Sequence, residues 1–353
     1  MDSFVGVKQN QKALLIGGAG FIGHNLALQL RRQGVEVDIA DGFRVNSLLN
    51  LSIQEKETQD LGVYRDFLEE RLELLQAKSV DLIISNASDR YEVSNILAKH
   101  YDVVYLLAAV SHASRSNTDP VGAIENGLLP FVNVISELSR KPETRLVYLS
   151  SSTVYGHFTK EAVDENDDCN PYGMYAVLKY AGERILFETG KNSNLNFSIV
   201  RPSALYGERC ISRRVSQIFL ENAFAGRKLV FKGNKNEKLD FTYIQDLVQG
   251  LILAGFHEKA YQELFNITYG NARPVLSLVD ILRKHFPKLE LEIVERDQAT
   301  PLRGTLLNAK AKKLLGFNPL WSLEDGYENY IRWYLQRSKE RKMIFNTISQ
   351  TNE

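Results

Sequence analysis

The sequence predicts an α/β protein whose larger part is a doubly wound parallel sheet and whose smaller part is a C-terminal α/β lobe. Three observations carry this expectation. Short apolar runs alternate with helical stretches at roughly the βαβ repeat length. A glycine-rich turn joins the first run to the first helix. After Arg201 the regular alternation loosens.

The elements follow in order. Residues 12–17 (Lys-Ala-Leu-Leu-Ile-Gly) read as a buried strand, and a helix spans about Phe21 to Gln33 before Gly34 ends it. Residues 35–40 form a second strand with Asp41 at its carboxyl end. Further strands are expected at Asp81–Ser85, Val103–Leu107, Arg145–Leu149 and Phe197–Val200. The stretch from Phe43 to Ser79 is longer and more polar than a crossover needs, with helical periodicity around Val63–Ala77, and reads as an insertion. Beyond Arg201, Val215–Ala225 and Leu276–His285 read as helices, Leu229–Lys232 and Leu289–Val294 as strands, and Glu324–Leu335 as a closing helix. We expect a first unit of residues 1–200, with 240–268 returning to it, and a substrate lobe of 201–239 and 269–340. Residues 341–353 form the tail, and the stretch from Arg337 to Glu353 reads as polar and partly disordered.

Composition narrows the function classes. With 353 residues and 44% hydrophobic content the chain can bury a large core. Its 43 basic and 43 acidic side chains cancel, so no global field draws it to nucleic acid or an anionic membrane. No basic start with an apolar run and cleavage site is present, and no run reaches eighteen apolar residues, so a cytoplasmic protein is expected. Cys169 and Cys210 are too few for a disulfide scaffold, and the six histidines show no metal-ligand spacing, so no metal is assigned.

A dinucleotide site is the first local signal. In Gly17-Gly-Ala-Gly20-Phe21-Ile22-Gly23 the glycines allow a tight turn, close approach of a pyrophosphate and close helix packing, with the helix N-terminus facing the phosphates. Asp41 follows at the end of the next strand, where a carboxylate accepts from ribose hydroxyls and repels a 2′-phosphate, favouring NAD over NADP. Arg44 either counters that preference or is a solvated surface arginine. Asn86 and Ala87, just past the third strand, either meet the adenine or form a plain polar loop.

The second signal is chemical. Ser150-Ser151-Ser152-Thr-Val-Tyr-Gly156 ends a strand, and Tyr175 and Lys179 follow four residues apart, on one helix face. The ammonium there is expected to lower the phenol's pKa from about 10 toward neutrality, as a general base needs. Tyr175 can then take a hydroxyl proton while hydride leaves the same carbon, with a nearby serine orienting the oxygen.

These motifs, together with Leu106-Leu107-Ala108-Ala109, Arg201-Pro202, Asp240-Phe-Thr-Tyr-Ile-Gln-Asp246 and Lys310–Pro319, resemble the extended short-chain dehydrogenase/reductase family of NAD-dependent sugar epimerases and dehydratases. The resemblance spans nearly the whole chain and implies a Rossmann-type sheet. It implies Tyr175 as base, Lys179 as its partner and nicotinamide-ribose ligand, and Ser151, with Ser152 as fallback, as the serine. Leu107, Ala108, Ala109 and Pro202 would line the cofactor, with Asn126 in the helix beside it. Members that eliminate water usually carry an acidic residue just before the Val-Tyr-Gly element. Ser152-Thr153 stands there instead, so a C4 epimerase of a nucleotide-activated sugar, like the UDP-hexose 4-epimerases, is the reading implied. A keto-sugar reductase would use the same Ser-Tyr-Lys set, and a non-catalytic NAD-binding protein is a third alternative.

Two departures concern the substrate. The family usually has Asn three residues after the Arg of Arg-Pro, where Ala204 stands, and Arg directly before Asp-Phe, where Leu239 stands. Lys238, Arg209, Arg213, Arg214 and Arg303 are candidate replacements for the lost phosphate contacts, or else solvated charges. The resemblance also implies a homodimer built on Gly122–Arg140 and Tyr172–Gly190.

Overall fold

A computed structural model of the chain describes residues 6–44, 61–108, 113–296 and 301–351. Seven parallel strands form one sheet: β1 (Lys12–Ile16), β2 (Glu36–Asp41), β3 (Asp81–Ile84), β4 (Val103–Leu106), β5 (Arg145–Leu149), β6 (Asn196–Arg201) and β7 (Glu263–Asn266). Their spatial order is β7-β6-β5-β4-β1-β2-β3. The chain therefore winds outward from β1 in one direction and from β4 in the other. The carboxyl ends of these two neighbours make the switch point where doubly wound sheets bind ligands.

Strand alternation divides the core into two layers. Ala13 and Leu15 of β1 join Val103 and Tyr105 of β4 on one face, while Leu14, Ile16, Val104 and Leu106 face the other. Helix α1 (Phe21–Arg32) packs on the first face. It ends at Gly34, whose φ of 83° only glycine adopts cheaply, and the Val35 amide reaches back to the Leu30 carbonyl at 3.1 Å. Helix α2 (Leu61–Ala77) lies within the long segment after β2 and adds Tyr64, Phe67, Leu68 and Leu75 to the same layer. On the opposite face lie α3 (Arg90–Leu97), α4 (Leu129–Leu138) and α5 (Met174–Asn192). Asp89 caps α3 by accepting from the amides of Tyr91 at 2.8 Å and Glu92 at 3.1 Å.

After β6 come α6 (Val215–Phe224), α7 (Ile244–Phe256), α8 (Ser277–Arg283) and α9 (Leu323–Thr351). Strands at Leu229–Lys232 and Leu291–Val294 pair in parallel beside α6. Two buried carboxylates tie later segments onto this part. Asp240 accepts from the amides of Leu306 at 3.0 Å and Gly270 at 3.2 Å, and Asp246 from those of Leu320 at 2.8 Å and Trp321 at 3.1 Å. The closing helix runs well past Leu335, the end expected from the sequence, through residues read as a disordered tail. No glycine or proline follows Gly326 to stop it.

Candidate active site

One cleft, with a volume of about 440 Å³, opens along the carboxyl ends of the strands. That volume lies within the roughly 300–1,000 Å³ typical of small-molecule sites. At the switch point Gly17 (φ 81°) turns the chain beneath the loop after β4. A Cβ there would stand 2.6 Å from the Ala108 amide nitrogen. Gly23 packs against Gly18, where a Cβ would lie 2.4 Å from the Gly18 carbonyl oxygen. Gly20 is the N-cap of α1 with no side chain to cap it, so the helix start faces the cleft. Phe21, Ile22, Leu107, Ala108 and Pro202 also line the cleft, whereas Ala109 lies outside the described residues.

Asp41 sits where the glycine turn and β2 meet. Its carboxylate accepts from the Ala19 amide at 3.0 Å and the Phe43 amide at 2.8 Å, while burial pushes its pKa up. Each oxygen keeps a lone pair for a ligand. Asn86 and Ala87 line the same end. Asn133 of α4 holds their loop by donating to the carbonyls of Ala87 at 3.1 Å and Ser88 at 3.0 Å. Asn126 belongs to a five-residue π-helical turn, Ile124–Leu128, a distortion often found at functional positions. It lines the cleft and accepts from Arg44 at 2.9 Å.

At the other end, α5 carries Tyr175 and Lys179 toward the end of β5. Lys179 is buried, donates to the Leu149 carbonyl at 2.6 Å, and stands 5.1 Å from the centre of the Tyr148 ring and 5.9 Å from that of Tyr175. Burial lowers its pKa to about 8, against the opposing pull of Glu183. Ser151 stands by the Tyr175 phenol and pulls its pKa down. Here the sequence expectation needs correction. Burial raises the phenol's pKa above its ordinary value, outweighing the pull of Arg214 and Ser151 that lowers it. Ser152 directs its amide to the Pro202 carbonyl at 3.0 Å. One turn after Lys179, Glu183 accepts from Ser150 and from two nitrogens of Arg201, at 2.9 and 2.5 Å. This buried pair clamps the end of β5 between α5 and β6.

Of the five cations considered as phosphate ligands, two reach the cleft. Arg303 donates to the Ser152 carbonyl at 2.7 Å, and Arg214 lines the wall at the entry of α6. The other three point elsewhere. Arg209 donates to His24 at 3.1 Å and pairs with Glu70 at 3.1 Å, the charge of Arg213 falls on the Tyr64 phenol, and Lys238 pairs with Glu161 at 2.9 Å. Arg209 and Arg213 both have left-handed backbone, φ 61° and 47°, which re-aims their side chains.

Nothing local in the sequence marks Arg71 as part of the site. Fully buried on α2, it donates to the carbonyl of Ala19 in the glycine turn at 3.4 Å and to that of Arg209, beyond β6, at 2.5 Å. The neighbouring His24 is held neutral by burial and by both arginines, and its Nδ1 lies 2.9 Å from the Gly20 carbonyl. Helix α2, read as an insertion, thus braces the dinucleotide turn from behind.

Among the described residues no group of three or more His, Cys, Asp or Glu side chains is placed to hold a metal ion, and no helix is long and apolar enough to cross a membrane. The glycine cradle that a Cβ would fill, the open helix start and the Asp41 carboxylate suit a nicotinamide dinucleotide.

Comparison with known proteins agrees with this geometry. UDP-glucuronate 4-epimerase 1 of Arabidopsis thaliana is 28% identical over 348 residues, covering 91% of this chain and 76% of the relative. A putative UDP-glucose 4-epimerase of Methanocaldococcus jannaschii is 24% identical, covering 91% and 97%. In fold, the chain is similar to the UDP-glucuronic acid 4-epimerase of Bacillus cereus, solved with UDP-glucuronic acid and NAD, at a TM-score of 0.81 and 24% identity over 92% of this chain and 99% of that one. Residues 13–268 match the NAD dependent epimerase/dehydratase family, and the chain belongs to that family.

Proposed function

We propose that this protein is an NAD-dependent epimerase of a nucleotide-activated sugar, acting at C4. The observation that carries the reading is one cleft holding the glycine cradle and Asp41 at one end and Ser151, Tyr175 and buried Lys179 at the other. Gly17, Gly20, Gly23, Asp41, Asn86, Leu107 and Lys179 hold the dinucleotide, which when bound supplies a hydride acceptor and then donor at the sugar carbon. Tyr175 takes the proton of the C4 hydroxyl, Ser151 orients that oxygen, and Lys179 adds positive charge behind the phenol. Return of the proton from Tyr175 after the sugar turns its other face completes the inversion. The relatives whose names specify 4-epimerases support this choice. The cleft also offers no carboxylate at its chemical end for elimination of water: among the described lining residues the one acid is Asp41, at the other end.

In this reading residues 1–200 and 240–268 form the dinucleotide unit, and 201–239 with 269–340 form the substrate lobe. The protein acts as a cytoplasmic homodimer. Supporting the dimer, Val121, Ile124, Leu129 and Val132 lie exposed near Tyr172 and Val177 of the α5 region, an apolar surface on two adjoining helices. Supporting the compartment, Cys169 and Cys210 are free thiols.

The test is to incubate the purified protein with UDP-, GDP-, CDP- and dTDP-sugars in deuterated water without added cofactor, following each by NMR. A C4 epimer free of deuterium, absent with Tyr175→Phe, is expected. Consumption of added NADH or NADPH with no epimer would turn the assignment to a keto-sugar reductase.

A further inference from the structure

Residues 204–213 hold a strained backbone. Ala204, Arg209 and Arg213 have φ of 34°, 61° and 47°, a left-handed region that costs any residue with a side chain and persists only where its surroundings enforce it. The same stretch is a wall of the cleft, to which it contributes Ala204, Leu205, Ile211 and Ser212. What enforces the conformation at Arg209 comes from the dinucleotide side. Arg71 of α2 donates to the Arg209 carbonyl at 2.5 Å and to the Ala19 carbonyl of the glycine turn at 3.4 Å. The Arg209 side chain donates to His24 of α1 at 3.1 Å and pairs at 3.1 Å with Glu70, which also holds Arg337 of α9 at 2.6 Å. Kept neutral by burial, His24 can give its one proton to the Gly20 carbonyl, 2.9 Å from Nδ1, while accepting from Arg209 at Nε2. Two routes therefore run from the wall to the adjacent carbonyls of Ala19 and Gly20, one through the backbone of Arg209 and one through its side chain. Arg71 and His24 are both fully buried, so water does not replace either contact.

We propose that Arg71, through Arg209, is a positioning residue for this wall, so that a dinucleotide on the glycine turn and a nucleotide-sugar against the wall each tighten the other's binding. The inference rests on the cleft being a nucleotide-sugar site. Coupling needs an element with two arrangements. A backbone held left-handed supplies one, since it falls back to the region it prefers once its holder moves. Displacement of the Ala19 carbonyl draws on Arg71, releases Arg209, and carries Ile211 and Ser212 with it. A ligand at either end favours the cleft with the tie in place, so the coupling is positive and reciprocal. Such couplings amount to about 5- to 150-fold in affinity.

The experiment follows, by fluorescence, exchange of bound NAD for added NADH in the NAD-loaded full chain, with and without saturating UDP, whose binding is checked by calorimetry. It is repeated with Arg71→Met and Glu70→Met. UDP carries no sugar to meet the nicotinamide, which sets direct contact between the two ligands aside. In the parent, UDP should slow release of NAD by at least about fivefold. Arg71→Met should release NAD faster and bring the ratio with and without UDP to within about twofold of one. A merely structural arginine would speed release equally in both conditions and leave the ratio intact, which overturns the coupling. Glu70→Met frees the Arg209 side chain without touching the glycine turn, and should lose most of the ratio while release without UDP stays within about twofold of the parent. Where Arg71→Met does not fold, a ratio preserved in Glu70→Met overturns the coupling instead. A parent that binds UDP yet releases NAD at one rate throughout overturns the coupling alone. A parent that holds NAD but does not bind UDP overturns the nucleotide-sugar reading, and the coupling with it.

Discussion

Lys179 donates to the main-chain carbonyl of Leu149, the last residue of β5, at 2.6 Å, so the lysine we propose to charge the active site is also a strut between helix and sheet. Lys179→Met removes the charge and the strut together, and Tyr175→Phe removes only the proton acceptor. We expect each to lower turnover by about 10²- to 10⁴-fold, the usual contribution of general acid–base catalysis. Only Lys179→Met should also lower the unfolding midpoint. Comparable activity in Tyr175→Phe and the parent would rule out the phenol as base.

The same lysine sets an alkaline limit. Burial brings its pKa down to about 8 from 10.5 in the unfolded chain, so the ammonium discharges as pH rises through 8. The pH profile of kcat/KM should fall on the alkaline side with an apparent pKa near 8. The sign for stability is opposite. Between pH 8 and 10.5 the unfolded chain binds more protons, so this group's contribution to folding grows with pH there. An activity plateau to pH 10 would contradict the first expectation.

Asp240 and Asp246 act in the other direction. Burial raises their pKa values from 3.8 to about 7 and about 6, despite the amides they accept from. A carboxyl with a raised folded pKa contributes stability that is complete below the unfolded value and lost as pH rises through the folded one. The urea midpoint should therefore be higher at pH 5 than at pH 8. A midpoint that climbs over that interval would mean these carboxylates are held ionised.

The cofactor turn and the Tyr-Lys pair were legible in the sequence because both are local. At Gly17 a positive φ and the close Ala108 backbone together call for glycine, and two side chains four apart on a helix share a face whatever surrounds them. The cations were not separable in the same way. Arg209 and Arg303 look alike in sequence, yet a left-handed φ of 61° at Arg209 turns it to His24 and Glu70, while Arg303 reaches Ser152, 151 positions earlier. Arg71 was invisible for the same reason, since Ala19 and Arg209 stand 52 and 138 positions away. Spacing places the Lys179 ammonium on the phenol's side of the helix but cannot show the burial that raises the Tyr175 pKa.

Arg71→Met tests whether α2 supports the cofactor. The change leaves the Ala19 carbonyl without its buried donor, at a cost of about 1–3 kcal/mol. Because that carbonyl belongs to the dinucleotide turn, NAD retained through gel filtration should drop and the dissociation constant rise by about tenfold. A variant that is less stable but holds NAD as tightly would make Arg71 purely structural.

Gly17→Ala examines the cradle directly. The added Cβ meets the Ala108 amide nitrogen at 2.6 Å in a backbone region that alanine occupies only under strain, of order 1–3 kcal/mol. Either the turn moves or the loop after β4 does, and both line the cleft, so NAD content should fall while the far-UV spectrum remains that of the parent. Full NAD content would show that the loop yields without disturbing the site.

The assembly prediction turns on apolar surface that a monomer leaves in water. Val121 is 66% exposed, Val132 41%, Tyr172 50% and Val177 45%, and they lie on segments that pack side by side along one face of the molecule. In the proposed homodimer a two-fold axis through this face would bring the same residues together from both copies, so that each substitution would act twice. Val132→Glu and Val177→Glu each place two like charges in that contact, and both sites are open enough in the single chain to accept glutamate without disturbing the core. The parent should therefore elute at twice the mass of 40.1 kDa by light scattering, and either variant at the single mass with its unfolding curve largely preserved. A parent that is monomeric at micromolar concentration would leave this apolar face to some other partner.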